Sequence, residues 1–323
     1  MLKKIKMELD KIIFEIKYFL IFKNKIKKIN IVDIKQPLIL ISQIQRSGGS
    51  LITQLFDNHP ETYNYPHELF IFKPVWKWKG KANFFVYKMP EMRIYAKKKR
   101  YYKNAKAKWS ENYEFNFDLN MQKYLFERKY TNKGRESFDN YFTSFFNSYE
   151  FKLNKFKKYI IAFTPRVNME MESVDEFFKI YPDGYMINCI RNPLNWLASA
   201  TKTMKKYSEP NFALRMWLES TKNSLEIKKK YKRSILVNFE ELIINTENVM
   251  SKITQIINIQ YSKDLLNPSF NGKDILSNSS FEAKFKIDKD VISRNKYIDT
   301  SIIEKDLLNE CLKFYEISKK NSI

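Results

Sequence analysis

An apolar run, Leu38 to Ile44, breaks into Gln45-Arg46-Ser47-Gly48-Gly49-Ser50 and resumes as Leu51, Ile52, Leu55 and Phe56 at helical spacing. That pattern reads as strand, tight loop and helix. Such a junction turns several free backbone N–H groups toward one point at the positive end of a helix, a ready anion site. Arg46 adds a fixed cation at its rim. The loop lacks the Gly-x-x-x-x-Gly-Lys-Ser/Thr spacing of a Walker A motif, and its cation precedes the glycines instead of following them. An ordinary nucleotide triphosphatase is therefore disfavoured.

A second junction lies downstream. Tyr185 to Ile190 forms another apolar strand, followed by Arg191, by Asn192 as a helix cap and by Pro193 at the first helical position, where a missing N–H costs nothing. Arg191 thus sits at the C-terminal end of a strand, where open α/β sheets bind ligands. Ser199 follows eight residues later, about two helical turns on. A guanidinium and a hydroxyl together suit a second phosphate.

Two more apolar runs, Tyr159 to Phe163 and Ile235 to Phe239, read as sheet strands. Helical patterns fall at Leu51 to Asn58, Met171 to Ile180, Leu194 to Lys205, Phe212 to Lys230, Glu247 to Ile257 and Ile302 to Ile317. This alternation implies an α/β fold, with a mainly parallel central sheet flanked by helices on both faces.

Arg46-Ser47-Gly48-Gly49-Ser50 and the Arg191 to Ser199 element resemble, in order, the two phosphate motifs of the sulfotransferases that use 3′-phosphoadenosine 5′-phosphosulfate (PAPS). The likeness continues through His59-Pro60, Phe163-Thr164-Pro165-Arg166, Val237-Asn238-Phe239-Glu240-Glu241-Leu242, Pro268-Ser269-Phe270-Asn271-Gly272 and Asn278-Ser279-Ser280-Phe281, covering roughly residues 37 to 70 and 159 to 315. It implies a P-loop NTPase-like sulfotransferase architecture with PAPS as co-substrate, no metal, and an acceptor bearing a hydroxyl. Ser47, Gly48, Gly49, Ser50 and Leu51 would cradle the 5′-phosphosulfate, with Arg46 stabilising the leaving phosphate. Arg191 and Ser199 would hold the 3′-phosphate. The adenine would lie near Asn278, Ser279 and Ser280, and Arg294 would contact a phosphate. Two departures stand out: Gly49 and Ser50 replace family threonines, and Asn192 stands where aspartate is frequent. A glycine should preserve a cradle that works through backbone N–H groups while removing one side-chain hydrogen bond.

Transfer to a hydroxyl also needs a base within hydrogen-bond reach. Glu68 lies near where tyrosylprotein and some bacterial sulfotransferases carry a catalytic glutamate, and His67 beside it is chemically able. Neighbouring residues on an extended segment point to opposite sides, so one of the two faces the donor; Glu68 is the expected base. His59 reads as structural, ending the first helix.

The 323 residues can bury a substantial core. Lys and Arg outnumber Asp and Glu by 58 to 36, a net charge of +22. That charge attracts polyanions or an anionic membrane surface, or else follows from a gene composition that also favours Ile and Asn. No specific nucleic-acid partner is implied. Cys189 and Cys311 are the only cysteines, which excludes a disulfide framework and favours a reducing, cytoplasmic setting. His59 and His67 are the only histidines, and no metal-binding spacing occurs.

Residues 1–30 form a basic amphipathic helical pattern, too charged to span a bilayer, which either packs on the domain or lies peripherally on a membrane surface. The sulfotransferase-like domain would then run over 31–323, with 71–158 inserted on the acceptor side. Trp76, Trp78 and Trp109 in that insertion could stack on a sugar or pin an irregular segment. Tyr141, Phe142, Phe145, Phe146 and Tyr149 fit the core-facing stripe of a helix. The acceptor expected from this aromatic, basic lobe is a saccharide or glycolipid. A P-loop-type nucleotide-dependent kinase and a nonenzymatic polyanion-binding protein remain the competing functions, although the kinase lacks its lysine and its Mg²⁺-holding carboxylate at the expected spacing.

Overall fold

The computed structural model describes residues 31–69, 121–122, 125–126, 134–148, 157–270, 272–277, 279 and 281–323. Five parallel strands form the central sheet in the order β2-β3-β1-β4-β5. They are β1 (Leu38–Ile41), β2 (Thr62–Glu68), β3 (Tyr159–Phe163), β4 (Tyr185–Ile190) and β5 (Ser234–Asn238). Helices follow β1, β3 and β4: α1 (Gly49–Leu55) comes after the first, α3 (Met171–Ile180) after the second, and α4 (Pro193–Thr203) and α5 (Pro210–Lys230) after the third. After β5 come α6 (Phe239–Ile244), α7 (Thr246–Ile257), the antiparallel pair β6 (Ser269–Phe270) and β7 (Lys273–Asp274), and α8 (Lys305–Asn321).

Alternation along the strands splits the core between the two faces of the sheet. Ile39, Ile41, Ile187, Cys189, Ile235 and Val237 pack with Ile52, Leu55 and Phe56 of α1 and with Leu242, Ile253 and Ile257 of α6 and α7. On the opposite face Ile190 and Leu236 join Trp196 and Leu197 of α4, Leu214 and Trp217 of α5 and Tyr315 of α8. Both faces are therefore dry, as a parallel sheet requires.

Strands β3 and β4 coincide with the expected apolar runs, and the others show where a run misleads. β1 ends at Ile41, not Ile44, because the chain peels from the ladder there. Ser42 donates its N–H to Ile187 O at 2.8 Å, and its hydroxyl accepts from Val167 N at 3.0 Å. β5 stops at Asn238, whose carbonyl side-chain oxygen accepts from Glu241 N at 2.9 Å and caps α6, so Phe239 opens a helix and does not end a strand. The last helix starts at Lys305, after a 3₁₀ turn at Thr300–Ile302, and runs on to Asn321. The edge strand β2 carries no apolar run; Tyr63 and Tyr65 face inward and alternate with Asn64 and Pro66. Its pairing with β3 shifts register between Asn64 and Glu68, around a proline that has no N–H to give, which is tolerated at an edge.

Residues 31–35, 121–122, 125–126 and 134–148 belong to a second compact unit. Its helix α2 (Gly134–Asn147) buries Tyr141, Phe142, Phe145 and Phe146 completely, the expected core-facing stripe. Asn147 and Thr143 bind the extended segment at Val32 and Ile34 through paired hydrogen bonds of 2.8–3.3 Å. Residues 1–30, Trp76, Trp78, Trp109 and Tyr149 lie outside the described residues. No helix among the described residues is long and apolar enough to cross a membrane.

Candidate active site

The turn between β1 and α1 is built around missing side chains. Gly48 has φ 98°, a conformation that costs other residues energy, and a Cβ there would lie 2.4 Å from the Phe239 ring. At Gly49 a Cβ would lie 2.0 Å from the Gln43 amide and 2.4 Å from Phe163. Turned with its oxygen toward the loop, the Gln43 amide accepts from Gly49 N at 2.7 Å and donates to Ser42 O at 3.2 Å. Here the structure amends the sequence reading: the side-chain space at position 49 is filled by Gln43 and Phe163, and the Gly49 N–H is taken up inside the protein. Arg46 sits in the left-handed region at φ 71°, a strain of the kind found at functional turns. The preceding Gln45 is pinned by Trp196 Nε1, which donates to its carbonyl at 2.7 Å, and by the Tyr207 hydroxyl, which donates to its side chain at 2.9 Å.

The turn between β4 and α4 works through charge instead. Asn192 caps α4, its side chain accepting from Leu194 N and Asn195 N at 3.1 and 3.2 Å, with Pro193 at the first helical position as expected. This leaves Arg191, only 3% exposed, to span the gap between the two turns. It donates to Arg46 O at 3.2 Å, to Ser199 Oγ at 3.0 Å and to Val291 O at 2.7 Å, and its guanidinium lies 4.8 Å from the centre of the Phe239 ring. Phe239 therefore touches both turns, blocking any side chain at Gly48 and supporting Arg191.

A third arginine comes from the 3₁₀ segment Lys289–Tyr297. Arg294 pairs with Asp288 at 2.9 Å in a buried salt bridge, donates to Ser279 Oγ at 3.0 Å and reaches Ser199 Oγ at 3.4 Å. Phe281 packs on its guanidinium at 4.4 Å and stacks on Tyr297. Burial pushes Arg191 down to about 9, opposed by Glu240 and helped by Arg294 and Arg46. It pushes Arg46 down to about 10, with Arg294 adding to the effect, and lowers Arg294 as well. Crowded cations in a poorly hydrated place are the electrostatic signature of a site that an anion completes.

Arg46, Arg191 and Arg294 line one cavity with Gly48, Gly49, Ser50, Leu51 and Ser279. Ser47 is buried behind the loop and does not line it, and Ser199 is wholly buried beneath the arginines, where its hydroxyl accepts from both. Asn278 and Ser280 lie outside the described residues. Glu68 ends β2 and pairs in register with Phe163, a cavity residue, while Leu69 N donates to Phe163 O at 2.7 Å. His67 precedes it on the same strand, with its side chain outside the described residues. His59 is structural in a way the sequence did not suggest: its ring accepts from Glu61 N at 3.2 Å and bonds Gln260 O at 2.8 Å, joining the end of α1 to the chain after α7.

Sequence reasoning missed Gln43, Asp288, Lys286 and Glu240. Lys286, at φ 66°, also lines the cavity. Glu240 accepts from Asn192 N at 3.0 and 3.1 Å and from the Tyr315 hydroxyl at 2.9 Å, balancing Arg191 from behind. Burial lifts its carboxyl above the usual 4.5, against the pull of Arg191. Its place directly after β5, at the C-terminal edge of the sheet, was the available signal.

A profile described as the sulfotransferase family matches residues 37–263, which span β1 to α7 and both turns. The chain belongs to the sulfotransferase family. Solved structures agree on the fold. The sulfotransferase domain of the Synechococcus PCC 7002 olefin synthase superposes with a TM-score of 0.52 at 16% identity, over 89% of this chain and 97% of that one. The sulfotransferase domain from the curacin biosynthetic pathway gives 0.51 at 14% identity, over 89% and 99%. No curated protein sequence matches significantly. Membership makes sulfuryl transfer the chemistry of this sulfotransferase, and the acceptor must offer a group such as a hydroxyl to receive it.

Proposed function

We propose that this sulfotransferase moves the sulfuryl group of PAPS to a hydroxyl of a saccharide or glycolipid. The observation that carries the donor assignment is the meeting of a glycine turn and three arginines, two of them buried, on one cavity. A donor with phosphates at both the 5′ and 3′ positions has two separate groups of negative charge to satisfy, and the cavity offers two separate sources of positive potential. The fit is supported by the Nε of Arg191, buried without a hydrogen-bond partner among the described residues, and by Gly48 and Gly49, whose lack of a Cβ lets the loop backbone lie against Phe239, Gln43 and Phe163.

In this reading the acceptor oxygen forms a bond to sulfur as the bond from sulfur to the bridging phosphate oxygen breaks. Glu68 takes the acceptor proton, the role in which His67 is the alternative. Arg46 and the loop N–H groups that face the cavity stabilise charge gathering on the leaving 5′-phosphate, so positioning and electrostatics dominate the rate. Arg191 and Arg294 hold the 3′-phosphate, and Ser199 positions both. The saccharide acceptor rests on the aromatic, basic composition of residues 71–158, and a peripheral membrane contact through residues 1–30 in a cytoplasmic protein belongs to the same proposal.

Incubation with sulfur-labelled PAPS, in the presence of excess chelator, and a panel of glycans, glycolipids, tyrosine peptides and phenols tests this directly. Labelled glycan or glycolipid is the expected product, and it should form despite the chelator, because in this reading fixed cations and backbone amides take the place of Mg²⁺. Labelling of tyrosine peptides alone would overturn the saccharide assignment, and strict dependence on added Mg²⁺ would overturn the metal-free one.

A further inference from the structure

The cavity has two characters. One side is the arginine cluster; the other is apolar, formed by Leu51, Phe239, Ile243, Ile287 and Val291, which pack together in a single hydrophobic cluster. Gln54 lies on the cavity wall, one helical turn after Leu51 and on the same face of α1. It is 5% exposed, and its amide Nε2 is buried without a hydrogen-bond partner among the described residues. Burying an amide without a partner is costly, and buried polar groups are paired in all but a few cases. Among the uncharged side chains that line the cavity, Gln54 is the one with such an atom among the described residues, and its place on the wall points to a ligand as the partner.

We propose that Gln54 selects the base of the donor nucleotide, recognising adenine and rejecting a 6-oxopurine. This inference rests on the nucleotide donor proposed above. The apolar wall covers the faces of a flat ring and offers it no hydrogen bonds, and the Gln43 amide on the same cavity is engaged by Gly49 N and Ser42 O, so specificity falls to the amide of Gln54. A carboxamide presents a donor and an acceptor side by side, which matches the 6-amino group and N7 on the major-groove edge of adenine. Hypoxanthine carries an oxygen in place of that amino group. Its oxygen would then face the amide oxygen of Gln54, and the amide cannot satisfy both positions by turning over, because N7 on that edge is itself an acceptor.

The test compares adenosine 3′,5′-bisphosphate with inosine 3′,5′-bisphosphate, which differ at this one position, by titration calorimetry on the full chain. The native protein should bind the adenine compound about 10- to 100-fold more tightly, as for a bidentate base contact. In Gln54→Met, which keeps the shape but has no amide, the two affinities should come within about threefold of each other. Gln54→Leu, which also removes both hydrogen-bonding groups, serves if the methionine variant does not fold, and should likewise lose most of the preference. Both ligands are measured on one preparation, so an inactive fraction cannot create or erase the ratio. A native preference that survives both substitutions, or a native protein that binds both compounds equally, overturns the role of Gln54 and leaves the donor assignment intact. Failure of the native protein to bind either bisphosphate overturns the donor assignment itself.

Discussion

The two strand-to-helix turns solve one problem with opposite materials. After β1 the chain removes side chains: Gly48 and Gly49 have no room for a Cβ, and the turn's potential comes from backbone groups and from Arg46 held at positive φ. After β4 it concentrates side chains: Arg191 is buried, bonded to three oxygens, and balanced from behind by Glu240. A backbone cradle is intolerant of volume, whereas a buried guanidinium is intolerant of lost charge partners. Phe239 joins the two, since it both fills the space above Gly48 and lies against Arg191.

The sharpest way to break that contrast is to add one carbon. Gly48→Ala meets both the left-handed backbone penalty and the Phe239 ring, and should cost about 2–5 kcal/mol of stability in denaturant titration. Because Phe239 must move, nucleotide binding should weaken as well. A variant as stable as the native protein would show that the turn is not built around the missing side chain.

A smaller effect is expected at Glu68, which belongs to neither turn. Glu68→Gln should slow turnover at least about a hundredfold, about 2.7 kcal/mol in the barrier, with nucleotide binding nearly unchanged. If that variant stays active while His67→Ala abolishes turnover with the fold intact, the base is His67.

The smallest expected effect lies outside the site and checks that the scaffold beneath the first turn behaves as described. Burial holds His59 below its usual value of 6.5, although its bond to Gln260 O and the nearby Glu61 oppose the shift. The unfolded chain then binds the extra proton first as pH falls through about 6.5, so stability declines from there toward the folded-state value. Stability measured against pH should show that decline in the native protein, and it should be reduced in His59→Gln.

Much of this contrast was legible in the sequence, for specific reasons. Continuous apolar runs marked β3 and β4 to the residue, and arginines in the turns that end apolar runs pointed to Arg46 and Arg191. The edge strand β2 escaped because Tyr63 and Tyr65 alternate with Asn64 and Pro66, leaving no run to see. Asp288 and Glu240 escaped because a carboxylate's burial beside a guanidinium depends on contacts made across 6 and 49 residues of chain, to Arg294 and Arg191. Gln43 escaped for a related reason: nothing in its own neighbourhood shows that it occupies the space a side chain at position 49 would take.

Titration of the native protein and of Arg191→Ala with adenosine 3′,5′-bisphosphate and adenosine 5′-phosphate tests most directly whether the two turns form one site. The account predicts at least about a hundredfold preference of the native protein for the bisphosphate, about 2–3 kcal/mol, and its collapse in the variant while the monophosphate is bound nearly as before. Equal binding of the two nucleotides by the native protein, or equal loss of both in Arg191→Ala, would contradict it.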